Sequence, residues 1–121
     1  MTEVEAELDT LVGDWLTLPA VAERLGESPG RVRQLVRDGR LAAVRRGKPP
    51  ELAVPAAFVG DGMVLKGLPG TLTLLRDAGY DEEAALRWLF TPDASLPGAP
   101  IAALIENRGT EVKRRAQALA F

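Results

Sequence analysis

The sequence predicts a mainly helical fold carrying one small β-hairpin, on three observations. Capping residues followed by apolar side chains at helical spacing recur along most of the chain. One stretch, residues 41–54, reads instead as strand, turn and strand. A chain of 121 residues suits one compact domain or two very small units sharing a core, because size limits how much surface can be buried.

Residues 1–16 hold five acids (Glu3, Glu5, Glu7, Asp9 and Asp14) and no base, so residues 1–14 are expected as an acidic N-terminal arm. Thr17-Leu18-Pro19-Ala20 then opens a helix: Thr17 can accept from an orphan amide, and a proline in the first turn loses no intrahelical donor. Leu18, Val21, Ala22 and Leu25 follow at helical spacing until Gly26 caps the end. Ser28-Pro29 repeats the start signal for a second helix over about 29–38, in which Val32, Leu35 and Val36 form one apolar stripe. That stripe turns Gly30, Arg33, Gln34 and Arg37 to the far side and Arg31 to the flank, and Gly39 stops the helix. Leu41 to Arg46 is a short strand pattern, Gly47-Lys48-Pro49-Pro50 a turn, and Glu51 to Val54 the returning strand.

The remainder is expected to be all-helical and to hold most of the core. Leu68, Leu72 and Leu75 space as a helix face ended by Gly79, and Asp81 caps a helix whose apolar face is Leu86, Leu89 and Phe90. Pro100 starts a third helix with Ile101, Leu104 and Ile105; Thr110 caps a fourth with Val112, Ala116 and Leu119 inward and Lys113 and Arg114 outward. Asp81, Glu82 and Glu83 read as carboxylates opposing the positive end of their helix rather than as a metal or catalytic cluster. Gly67-Leu68-Pro69-Gly70 lacks phosphate-loop spacing and reads as a helix entry, and Trp15 and Trp88 read as core anchors.

A net charge of -2 conceals three blocks: -5 over residues 1–16, +5 over 17–50 and -2 over 51–121. Concentrated basic charge attracts polyanions whatever the balance of the whole chain. The chain has no cysteine, no histidine and two serines, Ser28 and Ser95. Disulfides, thiolate metal sites and Ser-His-Asp triads are thereby removed, and no nucleophile, base and metal set can be named. A protein that is not an enzyme, with no metal and no cofactor, is expected. The acidic N-terminus is unlike a signal peptide, and no apolar run approaches the roughly 20 residues that cross a bilayer, so the expected location is cytoplasmic with no membrane partner.

Two short helices joined by Gly26-Glu27 match a helix-turn-helix, whose second helix enters the DNA major groove with its outward side chains on base edges. Arg donates two hydrogen bonds to guanine O6 and N7, and Gln pairs with adenine N6 and N7. Arg33, Gln34 and Arg37 are therefore the expected base readers, with Ser28 and Arg31 beside them on the recognition helix. The hairpin at 41–54 reads as a wing from which Arg40, Arg45, Arg46 and Lys48 reach phosphates or the minor groove. Double-stranded DNA is the expected partner, and a sequence-specific transcriptional regulator, nucleoid-associated when bound, the expected function. The acidic arm carries the charge to fold over the basic segment and compete with DNA, and Thr10 within it is a candidate phosphoacceptor. Lys113-Arg114-Arg115 reads as a solvated helix end complementing the dipole, with DNA backbone contact as the alternative.

The run TLPAVAERLGESPGRVRQLVRDGRLAAVRRG resembles the small winged helix-turn-helix domains of the excisionase and MerR type, over roughly residues 15–60. The run LKGLPGTLTLLRDAGYDEEAALRWLFTPDASLPGAPIAALIENRGTEVKRRAQALAF resembles the C-terminal part of an actinobacterial family of winged helix-turn-helix DNA-binding regulators that has a mycobacterial member; RWLFTPDASL and KRRAQAL are its more distinctive parts. The resemblance implies DNA binding by a winged helix-turn-helix domain, placed at residues 15–62, followed by a helical C-terminal domain at 63–121. WLFTPDASL is also similar to a motif in the C-terminal domains of some bacterial antitoxins, where helices mediate dimerisation and toxin binding. The alternative function is thus a protein-interaction module or antitoxin-like protein, and a homodimer or a protein partner held through the C-terminal helices stays open.

Overall fold

The computed structural model describes residues 3–96 and 98–120; Met1, Thr2, Pro97 and Phe121, which the expected segments 1–14 and 63–121 include, lie outside the described residues. Leu8, Leu11 and Val12 stand at i, i+3 and i+4, and the acidic segment winds around them into α1 (Glu3–Val12). Leu8 is buried and Leu11 and Val12 pack against the core, so this segment is a docked helix rather than a free arm.

The chain continues through β1 (Trp15–Thr17), α2 (Leu18–Leu25), α3 (Pro29–Arg37), β2 (Val44–Arg46), β3 (Glu51–Pro55), a 3-10 turn at Ala56–Val59, α4 (Leu68–Asp77), α5 (Glu82–Phe90), α6 (Pro100–Ile105) and α7 (Gly109–Ala118). α2 and α3 end in the same way. The amides of Glu27 and Arg40 donate to the carbonyls of Ala22 and Leu35 at 2.9 Å each, closing a loop that needs a left-handed residue at Gly26 (φ 68°) and Gly39 (φ 77°). At the head of α3, Ser28 Oγ accepts from the Arg31 amide at 3.1 Å, as its capping position predicts. Thr17 stands at the N-cap of α2 without a side-chain hydrogen bond.

Two features of the sheet depart from expectation. Only Val44–Arg46 pairs as the outgoing wing strand; Leu41, Ala42 and Ala43 are buried and lead into it without pairing. A third strand, β1, joins antiparallel to β3 with Leu16 opposite Val54, while Arg45 lies opposite Leu52, giving the order β1-β3-β2. The central β3 buries Ala53 and Val54, so the wing is rooted on both sides.

The C-terminal helices fall where spacing placed them, with two corrections. Thr110 lies within the first turn of α7 and does not cap it, because Gly109 already has helical backbone and Arg108 precedes it. Leu119 follows the last turn of α7 and is 38% exposed. Asp81 Oδ1 does accept from the Ala84 amide at 2.8 Å, capping α5. In the α5–α6 connection, backbone and side-chain donation from Ser95 to Asp93 Oδ1 holds the Asp93 carboxyl below its ordinary pKa against the opposing effect of desolvation, with the Arg115 charge assisting. A carboxylate shifted this way contributes above its unfolded pKa and loses the contribution as pH falls through the folded value.

The core is one continuous cluster shared by the two halves, rather than concentrated in the second. Phe58 is fully buried with its ring 6.0 Å from Phe90, and its carbonyl accepts from the Leu65 amide at 2.8 Å. Among the described residues no helix is long and apolar enough to cross a membrane.

Candidate nucleic-acid interface

α3 is positioned by its buried side. Val32 is fully buried and Leu35 nearly so, packing on α2, which in turn rests on β1 and β3. With that stripe fixed, Arg31, Arg33 and Arg37 are exposed. Gln34 is half-buried and engaged at both ends of its amide: Nε2 donates to Asp38 Oδ1 at 2.8 Å, and Oε1 accepts from Arg37 Nη2 at 3.1 Å. Gln34 thus aims Arg37 and ties down Asp38, the acid nearest the end of the helix, and it would exchange these bonds to meet a base. Ser28 spends its hydroxyl on the cap.

The expected wing residues divide. Arg40, Arg45 and Lys48 are exposed, Lys48 on the turn that joins β2 to β3. Arg46 points the other way. Its guanidinium pairs with Asp9 of α1 and lies 4.5 Å from the centre of the Trp15 ring, leaving the side chain 17% exposed. Trp15 Nε1 is buried with no hydrogen-bond partner among the described residues, so the ring face, not the indole N–H, makes the polar contact. Arg45 and Arg46 share a shallow pocket with Leu8 and the carboxylate-bearing Asp81, Glu82 and Glu83 at the start of α5.

α1 therefore distributes its acids between both halves: Asp9 meets Arg46 at the wing, and Glu7 accepts from Arg87 Nη1 of α5 at 3.0 Å. Thr10 is exposed on the same helix, beside a groove formed with Glu7, Leu11, Arg87 and Thr91. On α7, Lys113 and Arg114 are exposed, whereas Arg115 donates to Ser95 Oγ at 2.8 Å and to the Ser95 carbonyl at 3.1 Å.

Two side chains that the sequence does not assign to this surface touch it from behind. Arg76 of α4 donates through Nη1 to the Gly39 carbonyl at 2.9 Å and through Nη2 to Glu82 Oε1 at 2.7 Å. Glu82 Oε2 accepts from the Ala43 amide at 3.2 Å. Their partners lie 37 to 39 residues away, so no local spacing signals them.

A family model described as "DNA-binding protein Rv2175c, wHTH domain" matches residues 3–59, and one described as "Rv2175c C-terminal domain of unknown function" matches residues 65–120. The chain belongs to the Rv2175c family. The DNA-binding protein Rv2175c of Mycobacterium tuberculosis (strain ATCC 25618 / H37Rv) is 43% identical over 117 residues, covering 86% of this chain and 79% of that protein. The NMR structure of Rv2175c superposes with a TM-score of 0.80 at 41% identity, over 89% of this chain and 82% of that one. The Rv2175c fold is thus a winged helix-turn-helix, α2 and α3 forming the motif and β2 and β3 the wing, joined to a helical C-terminal part; the matched N-terminal region includes α1.

Proposed function

We propose that this chain is a sequence-specific double-stranded DNA-binding protein acting as a transcriptional regulator, with α3 in the major groove and the wing on the adjacent backbone or minor groove. One observation carries the reading: a helix locked by its apolar side in a helix-turn-helix turns Arg31, Arg33 and Arg37 to solvent together. The name of its mycobacterial relative agrees. In this reading Arg33, Gln34 and Arg37 face bases, Arg31 flanks them, and Arg40, Arg45 and Lys48 meet phosphates while Arg46 braces the wing from behind. The order of helix, turn, Arg-bearing helix and hairpin supports assignment to the excisionase- and MerR-type readers within this reading.

Selection of binding sites from a random duplex pool, followed by titration of the selected and scrambled duplexes, tests the reading. A shared motif bound at least 100-fold more tightly than its scramble is expected; enrichment of no motif contradicts it. The wing is tested separately. Arg45→Ala with Lys48→Ala should weaken selected and scrambled duplexes alike and reduce the slope of log affinity against log salt by about 1 for each phosphate no longer neutralised, because fewer counterions are released.

A further inference from the structure

The helical C-terminal half reaches the DNA-reading unit through one polar cluster. We propose that the Arg76–Glu82 pair is a positioning clamp, by which α4 and α5 set the angle between the recognition helix and the wing; this rests on the DNA-binding reading above. Gly39 follows Asp38, the C-cap of α3, and Ala43 is the residue before β2, so the two backbone groups held by the pair are the exit of one DNA-facing element and the entry of the other. Glu82 uses its two oxygens differently: Oε1 accepts from Arg76 and Oε2 from Ala43, so a single carboxylate joins both ends of the connection. Arg76 is held in turn by a second bond to Glu82, from Nε at 3.3 Å, which fixes the plane of its guanidinium.

The fit at Gly39 is close. A Cβ on Gly39 would lie 2.5 Å from Arg76 Nη1, so the left-handed turn and the absence of a side chain together let the guanidinium reach the carbonyl. The connection between the two anchored points, Arg40 to Ala42, has Leu41 and Ala42 fully buried, so it transmits the position of one end to the other with little slack. The pair itself is 31% and 38% exposed, a poor investment as stability alone, since partly exposed ion pairs contribute little. Its partners, rather than its exposure, indicate what it does.

The test uses the full chain with Arg76→Ala and Glu82→Ala, measured separately on the selected duplex and its scramble, with urea unfolding and amide exchange alongside. The two substitutions change charge in opposite directions. A clamp predicts that both lower the ratio of specific to non-specific affinity, by about tenfold, because each frees α3 from the wing; Glu82→Ala should also speed exchange of the Ala43 amide. Retention of the ratio within twofold in both variants overturns the proposal. So does weaker binding by Arg76→Ala with tighter binding by Glu82→Ala at constant ratio, which marks simple electrostatics, or a loss of affinity that tracks stability alone. If Arg76→Ala fails to fold, Arg76→Lys keeps the charge and the aliphatic stem with one compact donor in place of the fork, and a partial fall in the ratio is expected. Absence of any sequence preference in the unmodified chain would instead defeat the DNA-reading assignment, and the clamp with it.

Discussion

Replacing Arg33 and Arg37 together with alanine is expected to weaken binding to the selected duplex by at least about 30-fold and to abolish most of the preference over its scramble. Each bidentate Arg–guanine pair contributes about 1–3 kcal/mol of discrimination, and removing two such pairs sets that lower bound. The fold should survive. Both side chains are exposed, and the stripe that holds α3 in place, Val32, Leu35 and Val36, is untouched. Arg37 also donates to Gln34, so its removal frees an amide oxygen already at the surface, without leaving a buried group unpaired. Fluorescence anisotropy at two salt concentrations separates the outcomes: a specific defect leaves binding of the scramble within a few-fold, whereas weaker phosphate neutralisation would affect both duplexes together.

Phe58→Ala is expected to be strongly destabilising, at about 3–5 kcal/mol. That is a large share of the total stability of a domain this size and corresponds to a fall of about 10–20 °C in Tm. The ring is fully buried, sits against Phe90 of α5, and belongs to the 3-10 turn that follows the wing. A cavity there removes packing from both halves. Circular dichroism and tryptophan emission should therefore report one shared transition, Trp15 in the first half and Trp88 in the second melting together; two separated transitions would show that the halves fold independently.

The parts of this fold that were legible in the sequence are the ones governed by local physics. Ser28-Pro29 and Asp81 announce helix starts because their caps act within three residues, and the Val32, Leu35, Val36 stripe fixes which side of α3 is outward because burial follows a 100° period. β1 has no signal in the sequence, since three residues carry no usable alternation and its partner, β3, lies some 38 positions on. α1 has a signal in Leu8, Leu11 and Val12, but the density of acids around them reads as an acidic arm. Charge alone also could not sort the wing cations. Arg45 and Arg46 are adjacent in sequence, yet one is exposed and the other lies against Trp15 and Asp9. Glu82 was legible as a helix-start acid and illegible as the partner of Ala43, because that bond spans 39 residues.

The same contrast explains why a chain with a net charge of -2 can carry the proposed DNA-reading surface: acids of α1 and α5 neutralise Arg46, Arg76 and Arg87 internally, and leave Arg31, Arg33 and Arg37 facing solvent. The most direct check is a titration of the isotope-labelled full chain with the selected duplex, followed by NMR of backbone amides and arginine side chains. Shifts concentrated on residues 28–40, Arg45 and Lys48, with intermolecular contacts from the Arg33 and Arg37 guanidinium groups to base protons, are the predicted result. Saturating binding that leaves α3 unperturbed, with shifts confined to the C-terminal helices, would contradict it.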